Sequence, residues 1–569
     1  MPAFGVTTPV LDSFLVVILD SIRSKNGQRI TELIQLDFDS LPPDRQKPYA
    51  DLNSELSRCY PVGNDADLVT RCQRDLSWDE FGTFSISFAE SIVQYFRYLR
   101  DFTTADNQAK ASKIRQLTSQ CVIALGDSKY GVIMIPIVLS FSRTLATIAT
   151  NLDRNPSLVK SDNLVATQDT EGAPGKVSFV EDAANVLRDA FIKCLAGSPG
   201  VQRTSRPAAD DKRVGIYLTA NSCLKLLTQC RKLRNAQQMF SSIDAQSPPL
   251  SFYPAAQRVT YLYYLGRYHF ANNHFLRAQA VLQKAYEQCH RQAIKHRRLI
   301  LIYLTASNIC LGRFPSPTLL SRSEAAEVGS RFLPLCKIIQ AGDLGRFHQY
   351  LDLTSESGEW FLKRSILLQL RDRCEIIVWR SLIRKTFLFS GYMGEEKKVP
   401  FLRLNYVRDA AAWALPRYRG GLLSHGLGSQ AVNGEETYID PEFRELDAAI
   451  NETGFDPESG QYDDQYIGQH TPSSQDTAEF PTMTEVESVV LSLIQQGLLR
   501  GFALHTNPRF AIPGSQKAGG PMKAGFPKVW KVIKSKESGD PVPGWVEEGN
   551  LGSEGGRVVR IVGARPAGA

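Results

Sequence analysis

Short-spaced metal or redox motifs are missing from this chain. Its ten cysteines are scattered over 569 residues, and no two of them form a CxxC pair. That excludes zinc ribbons and fingers, thioredoxin-like redox centres and a disulfide-stapled framework. Cys223 and Cys230 lie two helical turns apart, and Cys289, Cys310, Cys336 and Cys374 fall in apolar helical runs. Buried free thiols are expected there, which fits a reducing compartment and a soluble intracellular protein. The P-loop, the H-E-x-x-H helix and the G-x-S-x-G elbow are missing too. His290 and His296 have no carboxylate at a spacing that would complete a metal pair. Asp463-Asp464 and Glu395-Glu396 are adjacent, so their side chains cannot face one another on a helix and read as solvated charge. Gly426 to Gly434 carries "GLGSQAVNG", but no strand leads into it, as a dinucleotide fingerprint would need. No catalytic constellation assembles, so the expectation is a non-enzyme without a cofactor or metal.

Neither sign of charge dominates. Lys and Arg number 66 against 59 Asp and Glu, a formal net charge of +7. This permits an acidic or nucleic-acid partner without demanding one. Long uninterrupted apolar runs are scarce as well. The N-terminal run Leu11, Phe14, Leu15, Val17, Ile18 and Leu19 is bracketed by Asp12 and Asp20, and no basic segment precedes it as a secretory signal requires. "GVIMIPIVLSFSRTLATIAT" from Gly131 is broken by Pro136, expected to end or kink a helix there, and by Arg143. Its irregular pattern predicts a buried core helix rather than a membrane span.

What the chain does contain is helical periodicity over most of its length, in a sequence too long for one core. The organising stretch is Ala256 to Ala306. Leu262, Leu265, Tyr268 and His269 mark one face of a first helix. Phe275, Ala278, Leu282, Ala285 and Tyr286 mark a second, and Leu299, Ile302, Tyr303 and Ala306 begin a third. Asn272-Asn273 is the turn between the first two, because Asn tolerates the left-handed backbone that ends a helix. Gly266, Ala278 and Ala285 follow the small-residue spacing of a tetratricopeptide unit, where two helices approach closely. Leu262, His269 and His290 stand where that repeat usually has Trp, Tyr and Pro, so the unit is degenerate.

The chain divides accordingly. Residues 1–150 form an N-terminal helical region, with an apolar stripe at Phe81, Phe84, Ile86, Phe88, Ile92, Tyr95 and Phe96. Residues 151–212 read as a polar loop with one helix near Val180 to Leu195. Residues 213–357 are stacked helix pairs, expected to form a right-handed solenoid. In 358–513, "WFLKRSILLQLRDRCEIIVWRSLIRKTFLF", "FLRLNYVRDAAAWAL" and "TEVESVVLSLIQQGLLRGF" are three helices. Thr484 is the expected N-cap of the third, with Glu487 closing a capping box. "GFALHTNPRFAI" then reads as two strands around Asn507-Pro508. Three helices and a hairpin are the order of a winged helix. An acidic, Gly- and Ser-rich insertion at about 417–481 and the Gly/Pro/Lys-rich tail 514–569 are both expected to be disordered.

"AQRVTYLYYLGR", "AQAVLQKAYEQCHR", "RRLILIYL", "LGRFPS" and, far downstream, "TEVESVVLSLIQQGLLRGF" resemble the PCI-domain proteins of the proteasome lid, the COP9 signalosome and initiation factor three. Within them the chain is most similar to the group of PCI-domain-containing protein two and COP9-signalosome-subunit-twelve-like proteins, from about Arg213 to Pro513. The resemblance implies an all-α helical-repeat solenoid capped by a C-terminal winged helix. It also implies membership of a transcription-coupled mRNA export complex at the nuclear pore. A second PCI subunit and a small acidic Dss/Sem-type protein would be its partners, two winged helices together forming a nucleic-acid platform. The short connection usual in those relatives at the insertion point is not kept here.

The third helix carries Glu485 and Glu487 and ends at Arg500, so it is not a basic reading helix. Basic residues lie around it: Arg384, Lys385, Lys397, Lys398, Arg403 and Arg509. The tail adds Lys517, Lys523, Lys528, Lys531, Lys534 and Lys536, with Phe526 and Trp530 interleaved. Such residues suit phosphate contacts, with aromatics to stack on unpaired bases of RNA or single-stranded DNA. They equally suit a solvated basic face, which keeps a pure assembly scaffold of signalosome or lid type as the alternative. No membrane partner is expected.

Overall fold

The computed structural model describes residues 8–37, 41–61, 65–76, 81–102, 107–154, 179–196, 206–230, 233–394, 398–426, 481–537 and 542–545. It is an all-α helical-repeat protein with one small sheet among the described residues. Two units separate, Met1–Leu304 with Ser538–Ala569, and Thr305–Glu537. The expected insertion lies mostly outside the described residues, although the helix that begins at Leu404 runs through Arg417 to Gly426. The polar gap 155–178 lies outside them as well.

In the first unit each long helix packs chiefly on its neighbours in sequence, from Asp65–Leu76 through Gly82–Asp101, Asn107–Leu125, Ile135–Arg154, Phe179–Ala196 and Ile216–Gln229. The Gly82–Asp101 stripe explains why: Phe84, Phe88, Ile92, Tyr95 and Phe96 are buried, while Ile86 faces outward. Buried phenols find acceptors. Tyr95 donates to the Gln35 carbonyl at 3.1 Å and Tyr98 to that of Leu36 at 2.9 Å. Glu55 is buried because its carboxylate accepts from the amides of Val10 and Leu11, at 3.2 and 3.1 Å, in the first turn of Pro9–Arg23. Pro136 begins a helix rather than ending one. It sits in the first turn of Ile135–Arg154, where its missing N–H has no bond to lose. That helix is apolar and long enough to cross a membrane, yet Ile137, Val138, Phe141, Leu145 and Leu152 are buried against protein.

The helix pair Ala255–Ala271 and Phe275–Gln288 is the repeat unit that the small residues announce. A Cβ on Gly266 would stand 2.5 Å from Leu282 Cγ, so only glycine allows this approach. Ala278 and Ala285 are fully buried at the same contact. Asn273 takes the left-handed conformation at φ 61°, as the Asn-Asn turn requires. In the third helix, Ile294–Cys310, Ile302, Tyr303 and Ala306 are buried but Leu299 is exposed. A short C-terminal segment docks on the first of these helices. Tyr261 donates to the Gly544 carbonyl at 2.7 Å, and His269 Nε2 lies 3.4 Å from that of Pro543.

The second unit holds the winged helix. Its helices are Leu367–Ser390, Leu404–Gly426 and Met483–Gln495. Three antiparallel strands complete it: β1 (Phe401–Arg403), β2 (Phe502–Leu504) and β3 (Arg509–Ala511), in the order β1-β3-β2. The hairpin turns through Asn507-Pro508 as its sequence predicts. β1 was legible only as the start of a helix. It becomes a strand because Leu402 pairs with Phe510, and both are fully buried beneath the sheet. The cap of the third helix is Thr482 with Glu485, not Thr484 with Glu487. Glu485 accepts from the Thr482 amide at 2.7 Å and donates its own amide to the Thr482 hydroxyl at 3.3 Å.

The tail also differs from expectation. Residues 514–537 fold into the second unit through the helices Pro521–Gly525 and Val529–Ser535. Phe526, Val529 and Val532 are buried, so apolar residues three apart draw this Lys-rich segment onto the winged helix. Residues 546–569 lie outside the described residues.

Candidate nucleic-acid interface

The basic residues of the second unit fall into two groups. The first lines a cavity of about 800 Å³ between the Leu367–Ser390 helix and the folded tail. Arg384, Lys523 and Lys528 all reach it, and Arg380, Gln340, Ser381, Ile377, Val529 and Trp530 are among the other residues of its wall. No lining residue carries a carboxylate.

Arg380 is the structural member. Its guanidinium is buried and donates to the carbonyls of Leu498 at 3.0 Å and Pro527 at 2.5 Å, fastening the end of the third helix to the tail. Burial, and then the neighbouring Arg384 cation, lower its pKa to about 10. Desolvation and the like charge of Arg384 thus disfavour the Arg380 cation, while Arg384 itself adds to the positive field at this wall. Arg313 joins the site from the "LGRFPS" motif, with its guanidinium 4.5 Å from the Trp530 ring centroid. Neither Arg380 nor Arg313 was singled out from the sequence. The signal for Arg313 was its place in that motif; Arg380 was hidden in the middle of an apolar helix.

Phe526 does not serve as a stacking platform. It is buried among aromatic neighbours, 5.6 Å from Phe387 and 6.2 Å from Phe510 between centroids. Trp530 remains half-buried at the cavity wall.

The remaining predicted residues are spread over other surfaces. Lys385 is half-buried on the helix that bears Arg384, and Lys398 is exposed ahead of β1. Arg403 stands opposite Arg509 across the β1–β3 pair. The Arg509 guanidinium lies 4.7 Å from the Phe401 ring centroid, a packing contact that leaves it half-buried. Lys517, Lys531 and Lys534 are exposed, and Lys534 Nζ is 5.8 Å from the Trp530 ring. Lys536 donates to the Gln496 carbonyl at 2.7 Å. Lys397 lies outside the described residues.

The acidic residues of the third helix have local work. Glu485 closes the capping box, and Glu487 meets His505 of the wing at 2.7 Å. The inner face of that helix, Val486, Val490 and Leu493, is fully buried. Val489 and Ile494 are only partly covered, and Leu491 is exposed. Among the described residues no group of His, Cys, Asp and Glu is arranged to hold a metal. All ten cysteines are free thiols, eight of them buried.

A PCI domain-containing protein of Schizosaccharomyces pombe is 30% identical over 336 residues, spanning 58% of this chain and 71% of that protein. The chain belongs to the PCI-domain family. A CSN12 homolog of Neurospora crassa is 29% identical over 333 residues, spanning 55% of this chain and 69% of the homolog. PCI domain-containing protein 2 of Xenopus laevis is 29% identical over 255 residues, 45% of this chain and 57% of that relative. These matches place the PCI protein in the group of PCI domain-containing protein 2 and CSN12 homologs, as its helical motifs imply. No family model matches the chain. None of these names ascribes a catalytic activity, and a PCI scaffold subunit is the role they support.

Proposed function

We propose that this PCI protein is a non-catalytic subunit of a nuclear mRNA export complex, residing in the nucleus at the pore. In this reading it pairs with a second PCI subunit, takes up a small acidic Dss/Sem-type protein, and binds RNA or DNA without sequence preference. The observation that carries the nucleic-acid part is the convergence of Arg384, Lys523 and Lys528 on a wall free of carboxylates, with Arg313 close behind at the Trp530 ring. Cations presented by lysine and arginine without base-reading partners match phosphates, whose neutralisation releases counterions. The acidic start of the third helix argues against groove reading by that helix. Pairing draws support from the outer strand β2, where Phe502 and Leu504 are both exposed at 47% beside unpaired backbone.

That exposed apolar edge favours a second reading, an assembly scaffold of signalosome or lid type that uses the winged helix for packing alone. Charge reversal separates the two. In the purified heterodimer, Lys528→Glu, Lys531→Glu and Lys534→Glu together should abolish retention of an oligonucleotide while the PCI partner stays bound. Unchanged oligonucleotide retention would leave only the scaffold.

A further inference from the structure

The cavity differs in kind from the other basic surfaces. Lys517, Lys531 and Lys534 are exposed and are not among the residues that line it. Arg384, Lys523 and Lys528 instead surround a concavity of about 800 Å³, within the range that encloses a small organic molecule. Its wall is chemically divided. One part is cationic, another is the Trp530 ring, which has the Arg313 guanidinium 4.5 Å from its centroid, and Phe314, Ile377, Met522 and Val529 supply apolar surface. Gln340 and Ser381 add the only uncharged polar side chains in the lining.

A phosphate alone would use the cations and leave the aromatic and apolar wall idle. A duplex would present phosphates but could not turn a base into the cavity. An acidic peptide would satisfy the charge, but its carboxylates alone would leave the face of Trp530 uncovered. We infer that the cavity between the Leu367–Ser390 helix and the folded tail is a subsite for one unpaired nucleotide of a single strand. Its phosphate lies toward Arg384, Lys523 and Lys528, and its base against Trp530 and Arg313. Base–aromatic and base–guanidinium stacking tolerate any base, so the subsite confers a preference for single strands and none for sequence. Gln340 and Ser381 offer hydrogen bonds to a base edge or sugar hydroxyl. The inference rests on the nucleic-acid reading above and sharpens it from a basic face to a built site.

The test uses the full chain and fluorescence anisotropy, with oligouridine and a blunt RNA duplex of equal length as probes. The wild-type protein should bind the single strand about tenfold more tightly than the duplex. In Arg384→Gln with Lys523→Gln, that preference should vanish, and the slope of log affinity against log salt for the single strand should fall by about 0.7, the one phosphate contact that the subsite makes. Trp530→Leu should lower single-strand affinity about tenfold while leaving the salt slope in place, because stacking releases no counterions. Lys531→Gln with Lys534→Gln should weaken both probes alike. Circular dichroism and thermal melting confirm that each variant is folded. Where a cavity variant melts early, displacement of oligouridine from the wild-type protein by uridine monophosphate, but not by inorganic phosphate at equal concentration, gives the same answer. Equal affinity for both probes, lowered equally by the cavity pair, would overturn the subsite and leave the basic-face reading standing. Binding of polyglutamate but not of oligouridine would overturn it in favour of a protein ligand. Binding of neither nucleic acid at low salt would remove both the subsite and the reading beneath it.

Discussion

At the scale of single residues, His269 shows how a repeat position can be recognised while its role is not. It stands where the repeat usually has a tyrosine, and burial rather than solvent defines it. It is 2% exposed, and its Nδ1 finds no hydrogen-bond partner. Burial, opposed in part by the Pro543 carbonyl and assisted by Arg277 and His274, lowers its pKa from 6.5 to about 4. The unfolded chain therefore binds a proton between those two values that the folded chain does not. This histidine's contribution to stability is complete above pH 6.5 and is lost as the pH falls through about 4. At about 1.4 kcal/mol per unit, the loss across that window reaches about 3 kcal/mol. Urea unfolding of the wild-type protein and His269→Gln across this window checks it. The difference between the two stabilities should narrow as the pH falls, and a difference independent of pH would contradict a buried neutral imidazole. Gly266 was more easily read, because a missing side chain between two helical faces has few explanations other than close approach to a residue such as Leu282.

At the scale of elements, what was legible followed from periodicity, and what was missed followed from competition between two equally good local patterns. Thr482-Met483-Thr484-Glu485-Val486-Glu487 contains two overlapping Thr-x-x-Glu frames, either of which could cap the third helix. The chain uses the first: Thr482 takes extended backbone at ψ 160°, which sets it outside the helix as an N-cap, and both capping-box bonds form there. Thr482→Ala should thus cost about 1 kcal/mol of stability in the second unit, while Thr484→Ala costs a few tenths at most. Chemical denaturation of the two variants decides between the frames, and equal losses would contradict the assignment. β1 was invisible for a different reason. Three residues paired to a strand more than a hundred positions downstream leave no local signal. The folded tail escaped because its glycines, prolines and lysines outnumber the apolar residues, although Phe526, Val529 and Val532 at regular spacing were enough to bury it.

The same competition shaped the candidate site. Arg384, Lys523 and Lys528 were identifiable as basic residues near the winged helix, but a sequence cannot say which of many lysines converge. Their convergence depends on the tail folding back and on Arg380 tying the Leu498 and Pro527 carbonyls together. Phe526, expected to stack on unpaired bases, belongs instead to the core beside Phe387 and Phe510.

At the scale of the whole molecule, the relatives support a PCI scaffold subunit. The second unit holds a winged helix with its capping box, its wing and its folded tail, and membership of the PCI family supports a scaffold role. A modest net charge of +7 cannot by itself produce strong polyanion binding, so local convergence of cations has to supply it. The measurement that tests this most directly is a salt titration of oligonucleotide binding by the purified full chain. The account predicts that log affinity falls linearly with log salt, with a slope of about −2 to −3, as three to four phosphate contacts would give for a single strand. Oligonucleotides of different sequence should share that line. No binding at low ionic strength, or an affinity indifferent to salt, would contradict it.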